Sequence, residues 1–400
     1  MSGMTPKQRF LTAMRAGGVP DRVPCTPDIS NYIPCKRTGL PFWDIYFKNE
    51  VPLWKAYLNA ADYYGIEAWM ASCTFIPLQF KQTRVERKVE LVFDKARDAM
   101  IEKTLIRTPD GDMTQQSLCF RHDPPSPIEK PIKDLTIDFP KYKWLMQEPT
   151  GLDMPVVEEM RAACEQRQQA FGLCIGYPGF QGWMTAIEGG VEPLSYAECD
   201  TPEILQEWLE LDLAFGTKVM ELLIAIKPDY LLFGGSGTIT LASPDLARKY
   251  VIPALKKWSA MTKAAGIPTM LHSCGKSRAL VDLLCDETDV DCINPLEIPP
   301  MGDVDLAEVK RARGRQISLM GNLHTTNVML KGTSDDVRAA ARQALRDAGQ
   351  GGGFILSTGD QCGPATPEEN LFALVETAKT HGVYDQQTGR VCAGTAKETL

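Results

Sequence analysis

Residues 269–297 read TMLHSCGKSRALVDLLCDETDVDCINPLE. An apolar run, Thr269–Cys274, gives way to a stretch over 277–286 whose leucines and valine recur at helical spacing. A second apolar run follows at Val290–Asn294. Strands apolar on both faces and joined through a helix belong to a parallel sheet, because parallel neighbours need a crossover. The same unit repeats on either side. Strands are predicted at Ala170–Tyr177, Tyr230–Gly234, Gln316–Gly321 and Gly353–Thr358, with helices over 156–168, 202–226, 244–265, 304–312, 334–348 and 367–381. Thr201-Pro202, Ser243-Pro244 and Thr366-Pro367 each set a hydroxyl before a proline, a helix-start signal.

The first third is less regular. Lys7–Arg15 and Leu53–Gly65 read as helices, Val23–Asp28 and Ala68–Cys73 as strands. With the six later strands these make eight, which predicts a (β/α)8 TIM barrel of the α/β class with an N-terminal extension. Thr83–Phe93, Met100–Thr108 and Met113–Phe120 look extended, and Asp110-Gly111 is a turn signal, so a β-hairpin is expected as an insertion at about 83–120. Asp123–Pro149 is proline-rich and reads as a connector. The expected organisation is one barrel domain over 1–384 and a polar tail over 385–400, fraying from Tyr384.

The chain has 400 residues, 44% apolar and 24% charged, an ordinary composition for a globule with a large core. Its 43 basic and 51 acidic residues give a net charge of −8, against a protein built mainly to grip nucleic acid. No apolar run approaches the roughly 18 residues of a membrane span, and Met1–Arg22 lacks a signal-peptide pattern. A cytosolic chain is expected. Its twelve cysteines are scattered, none in a C-x-x-C pair, so no disulfide framework is expected and most read as small buried hydrophobes.

A barrel works where its strands end. The strand ends here carry Leu271-His272-Ser273-Cys274-Gly275, Asn294-Pro295-Leu296-Glu297 and Ser357-Thr358-Gly359-Asp360-Gln361-Cys362. One imidazole, two thiols and a carboxylate, His272, Cys274, Cys362 and Glu297, suit zinc, which prefers thiolate and imidazole. On an extended segment His272 and Cys274 face the same way. The alternative is a hydrogen-bonded core histidine with two buried thiols, and spacing alone leaves both open. Cys274-Gly275-Lys276-Ser277 resembles the tail of a phosphate loop, but position 270 is Met where the first glycine belongs, and an ordinary helix start explains it better. Gly234-Gly235-Ser236-Gly237 makes a poor nucleotide fingerprint. His324 follows a strand end and is a pocket candidate; His122 and His381 read as surface or packing residues. The absence of G-x-S-x-G argues against a nucleophile-elbow hydrolase.

Arg9-Phe10-Leu11, Pro20-Asp21-Arg22-Val23-Pro24, Leu319-Met320-Gly321-Asn322, the helix from Asp335 and Thr366-Pro367-Glu368-Glu369-Asn370-Leu371 resemble the uroporphyrinogen decarboxylase superfamily, over roughly 1–384. The resemblance implies a (β/α)8 barrel. The decarboxylase motif Arg-Gln-Ala-Gly-Arg after the opening Val-Pro is replaced by Thr26-Pro27-Asp28-Ile29-Ser30-Asn31-Tyr32, so the arginines for porphyrin carboxylates are absent. The sequence is more similar to the zinc-dependent, corrinoid-linked methyltransferase branch. There the His-x-Cys pair maps onto His272 and Cys274, the distant Cys onto Cys362, and a glutamate in the fourth zinc position onto Glu297. Departures are His324, where much of the superfamily has Asp, and Asp360-Gln361 just before the cysteine.

The resemblance implies Zn²⁺, a cobalamin carried by a partner corrinoid protein, a small methylated substrate, and no nucleic acid or membrane; a homodimer is a further expectation. Glu297 and His324 are the expected catalytic residues, and Asp28, Tyr32, Tyr177, Trp183 and Asn322 the expected substrate contacts. Trp43, Trp69 and Phe180 could also wall a pocket, although most barrel aromatics simply pack. The leading expectation is an O-demethylase component that moves a methyl group from a methoxylated aromatic to cob(I)alamin. The alternative moves it from a methylcorrinoid protein to a small thiol such as coenzyme M. A non-catalytic zinc or ligand-binding barrel is a third reading.

Overall fold

The structure is a computed structural model and describes residues 3–80 and 84–391. Its strands are β1 (Leu78–Gln79), β2 (Glu86–Asp94), β3 (Ala99–Thr108), β4 (Gly111–Phe120), β5 (Ser126–Glu129), β6 (Gly151–Leu152), β7 (Gly172–Gly176), β8 (Tyr230–Gly234), β9 (Thr269–His272), β10 (Cys292–Asn294), β11 (Ser318–Leu323) and β12 (Phe354–Thr358). β7 to β12 form one parallel sheet in sequence order, each strand paired with its chain neighbour. Every residue of β11 and β12 is buried, as expected of strands packed on both faces. The helices between them follow the predicted register closely, at Pro202–Ala225, Ser334–Ala348 and Glu368–His381 among others.

Two further staves come from the first third. The segment 23–26 runs parallel to β12 through a bridge from Cys25 to Leu356, with Thr26 N donating to Leu356 O at 2.9 Å. Glu67 N donates in turn to Cys25 O at 3.2 Å. The fold is the expected TIM-barrel type, but these two staves depart from the predicted strands. Pro24 and Pro27 have no N–H to give to the ladder in the first. In the second, Met70–Cys73 winds into a 3-10 turn instead of extending over Ala68–Cys73. Side chains tie it to the barrel: Tyr57 Oη accepts from Trp69 N at 2.9 Å and Tyr230 Oη from Ala71 N at 3.1 Å.

Other expectations shift in detail. The insertion is a four-stranded antiparallel sheet, β2-β3-β4-β5, with β3 and β4 joined through Asp110-Gly111; Thr83 lies outside the described residues. The connector over 123–149 supplies β5 and a helix, Leu135–Tyr142. The helix predicted over 244–265 is two, Pro244–Tyr250 and Ile252–Ala264, broken beside Pro253, which lacks an N–H for the ladder. Of the three hydroxyl caps only Ser243 acts, accepting from Leu246 N at 3.1 Å. Thr201 instead closes the preceding helix through Ala197 O, and Thr366 Oγ1 is buried without a partner. The chain end is docked over 384–391: Tyr384 Oη donates to Gly349 O at 2.8 Å and Gln386 Nε2 to Pro20 O at 2.8 Å. The rest of the tail, with Cys392, lies outside the described residues.

Candidate metal centre

The register of the sheet sets His272 at the end of β9 level with Asn294 at the end of β10. Asn294 Oδ1 lies 2.5 Å from His272 Nδ1, while Asn294 Nδ2 donates to the Met270 sulfur at 2.9 Å. With the amide oxygen turned to the ring, Nδ1 is the donor to Asn294, which leaves Nε2 as the nitrogen a metal would take once it gives up its proton. The Trp69 ring packs against the imidazole, centroids 5.6 Å apart. Burial disfavours the imidazolium, but the Cys274 sulfur, Asp360 and Asp28 outweigh it and raise the His272 pKa to about 9.

Past β9 the chain turns at Gly275, whose φ of +78° suits glycine, and its N–H donates to Glu297 Oε1 at 2.5 Å. Leu296, just before Glu297, is held at φ +61°. Burial and the facing Asp360 push the Glu297 carboxyl above its usual range. Past β12, Thr358 Oγ1 donates to Asp360 O at 2.7 Å, and Gln361 Nε2 reaches Ser30 O at 2.6 Å and Ser30 Oγ at 2.8 Å, which fixes the loop. Ligand atoms of Cys274, Glu297 and Asp360 then lie within 4.8 Å of one another; among the described residues this is the one group of three or more His, Cys, Asp or Glu so gathered.

The gathered group thus holds Cys274 and Glu297 from the expected set together with Asp360, while His272 stands outside the three on a cavity wall that it shares with Asp360. Cys362 is fully buried in the main hydrophobic core, its N–H donating to Asp28 O at 2.8 Å. Burial and the nearby Asp28 push its thiol up to about 12. Asp360 was legible as the first charged side chain beyond β12, but a carboxylate in that place is a weak signal beside a cysteine.

The centre opens into a cavity of about 550 Å³ walled by Asp28, Trp69, Tyr177, Gln181, His272 and Asp360 among others. Among the described residues no lysine or arginine lines it. Asp28 is buried and accepts from Ser30 Oγ at 2.5 Å, with its carboxyl raised by burial and by Asp360. Tyr177 Oη is engaged with Thr238 Oγ1 at 2.8 Å and His272 O at 3.1 Å. Tyr177 also borders an adjoining apolar chamber of about 610 Å³, lined by Trp183, Trp208, Trp258 and Phe215. Trp183 Nε1 donates to Asp212 Oδ2 at 2.7 Å there.

The other expected contacts lie elsewhere. Tyr32 lines neither space, and Trp43 packs against Phe93. Phe180 stacks with Tyr250 in a second apolar cluster. Asn322 Nδ2 donates to Leu296 O at 3.0 Å, which buttresses the Glu297 loop from behind. His324 faces a separate hollow with Asn322 and Asp303, and its Nδ1 caps a helical turn, accepting from Thr326 N and Asn327 N at 3.1 Å each. The helix start after Lys276 holds a carboxylate of the chain itself: Asp303 Oδ1 accepts from Ser277 N and Arg278 N, which answers the phosphate-loop resemblance.

Residues 203–381 match the family model of uroporphyrinogen decarboxylase (URO-D). That match takes in a little under half of the chain. Over 95% of its length it is 26% identical to the methylcobamide:CoM methyltransferase MtbA of Methanosarcina mazei, covering 99% of that protein. It is 35% identical to the methylcobamide:CoM methyltransferase MtaA of Methanosarcina barkeri over 34% of this chain and 36% of that one. A uroporphyrinogen decarboxylase of Anaeromyxobacter dehalogenans is 28% identical over 56% of this chain and 62% of its own. A solved methyltransferase structure from Methanosarcina mazei superposes with a TM-score of 0.64 at 18% identity, covering 94% of this chain and 98% of that one; that is a likeness of fold. The resemblance read from the sequence holds, and the relatives favour the thiol alternative over the methoxylated aromatic as substrate.

Proposed function

We propose that this chain is a zinc-dependent, corrinoid-linked methyltransferase that passes a methyl group from a methylated corrinoid protein to a small thiol. The observation that carries the reading is the convergence of Cys274, Glu297 and Asp360 within 4.8 Å of one another, with His272 on the cavity wall that Asp360 also borders. Relatives named for methyl transfer between a methylcobamide and coenzyme M agree with it. The donor types fit zinc, whose Lewis acidity, when bound, lets a thiol ionise near neutral pH.

The chain's own groups divide the remaining work. Asn294 holds the His272 ring. Glu297, braced by Gly275 N–H and with its proton affinity raised, accepts the thiol proton. The sulfur attacks the methyl carbon; the carbon–cobalt bond breaks with its electron pair left on cobalt, and a thioether forms. The 550 Å³ cavity limits the acceptor to a small molecule, and its mouth is where the corrinoid protein docks. Among the described residues no helix is long and apolar enough to cross a membrane.

The test is to mix the zinc-loaded protein with methylcobalamin and 2-mercaptoethanesulfonate, and to follow the cobalt absorbance and the thioether product. Transfer that depends on zinc and on Cys274 is the expected result; no transfer to any of a panel of small thiols would overturn the reading. The apolar chamber favours a second reading, a methoxylated aromatic donor seated against Trp183, Trp208 and Trp258. Demethylation of a methoxyarene by cob(I)alamin, without thiol methylation, would replace the first reading by the second.

A further inference from the structure

We propose that the apolar chamber beside the metal centre binds an organic ammonium ion, whose charged head pairs with Asp212 among the rings of Trp183, Trp208 and Trp258. The site is tested by binding alone, without a methyl donor, so it stands or falls apart from the thiol reading.

The chamber is built on one helix face. Along the helix Pro202–Ala225, Trp208, Asp212, Phe215, Gly216 and Val219 recur at helical spacing, and all five line the space of about 610 Å³. Asp212 is the one charged residue of that stripe. Gly216 has no side chain where a Cβ would meet Trp258 Cζ2 at 2.2 Å, which lets that indole lie against the helix. Trp258 Nε1 then donates to Thr217 Oγ1 at 3.2 Å. Trp183 stacks on Trp208 with centroids 5.1 Å apart, and Tyr142 packs edge-on against Trp208 at 5.3 Å. The rings are held by the fold and need no ligand to order them.

Charge decides what the chamber takes. Among the described residues Asp212 is the one carboxyl on the wall, and no lysine, arginine or histidine lines it. The donor to that carboxyl is Trp183 Nε1, on Oδ2, which leaves Oδ1 for a ligand. A buried carboxyl without a counter-ion holds its proton more tightly, and burial pushes this one to about 7. A cation in the chamber supplies the missing charge, and the indole faces attract it through their quadrupoles. An anionic ligand would meet Asp212 with nothing to offset the repulsion. A chamber of this size suits a ligand larger than a bare methylammonium, so the ammonium head carries an apolar body.

Isothermal titration calorimetry of the full-length protein tests the proposal with choline, benzyltrimethylammonium and the uncharged carbon isostere of choline. At pH 8 both cations should bind, and choline at least tenfold more tightly than its isostere. Asp212→Asn, which keeps an acceptor for Trp183, should lose that preference with the far-ultraviolet spectrum unchanged. Both cations carry a fixed charge, so any pH dependence belongs to the protein. Wild-type affinity should fall about tenfold from pH 8 to pH 6 as Asp212 takes up its proton, and the affinity of the variant should stay level. Tyr142 and Tyr177 on the wall remain un-ionised over this range because burial raises both, and Arg87, which acts on Tyr142, remains charged. Failure of both cations to bind, equal affinity for choline and its isostere, or a preference that survives Asp212→Asn overturns the proposal. A methoxyarene that binds more tightly than benzyltrimethylammonium overturns it in favour of a neutral aromatic occupant.

Discussion

Asp212 stands apart from the metal centre yet is the most perturbed carboxyl of the aromatic chamber. Burial raises its pKa to about 7, against which the Trp183 indole N–H is a partial offset. The folded state therefore keeps a proton that the unfolded chain loses at acid pH. Stability from this group is complete below about pH 4, falls as pH rises toward 7, and is flat above. Asp212→Asn, which retains an acceptor for Trp183, should be more stable than wild type at pH 8 by the order of 2–4 kcal/mol, with the gap closing near pH 4. Urea unfolding at the two pH values measures it; an equal gap at both would refute the assignment. Asn294 acts at the same scale. Asn294→Leu leaves the His272 ring without its acceptor, and zinc affinity should fall roughly 10–100-fold with the far-ultraviolet spectrum unchanged.

At the scale of elements, the strand ends do the positioning. The turn after β9 requires glycine on two counts, the positive φ and the approach of Thr240, whose Oγ1 would lie 2.2 Å from an added Cβ at position 275. Gly275→Ala should cost about 1–3 kcal/mol of stability and, by pulling its N–H from Glu297, lower methyl-transfer turnover more than it alters zinc content. Metal analysis beside a turnover assay separates those effects; parallel loss of both would place Gly275 in the fold alone. Predictions for β8 and β12 succeeded because apolar runs between capped helices admit one reading. The first two staves were less legible, since prolines and a 3-10 turn replace ladder hydrogen bonds by side-chain ties from Tyr57 and Tyr230.

For the whole molecule, the N-terminal stretch that carried the family resemblance works as a clasp. Arg9 and Arg22 both bind the buried Glu67 carboxylate, at 2.7 and 2.6 Å, and Glu67 Oε2 also accepts from Cys25 N at 2.8 Å. Three separate segments are thereby locked where the barrel closes. Removing one partner of such a cluster strands the others in the core, so Glu67→Ala should destabilise the protein by about 3–5 kcal/mol. Chemical denaturation reads it, and a loss under 1 kcal/mol would show that the clasp is dispensable.

The sequence alone determined the alternation of strands and helices, the place of the reactive residues at strand ends, and the common facing of His272 and Cys274, because each depends on spacing within a few residues. It could not determine whether Asp360 or Cys362 turns toward the mouth. Beyond β12 the pleat ends, and the direction of each side chain is set by contacts from the far end of the chain: Ser30 holding Gln361, and Asp28 holding the Cys362 backbone. Separation in sequence hides such contacts, and only the closed barrel brings them together.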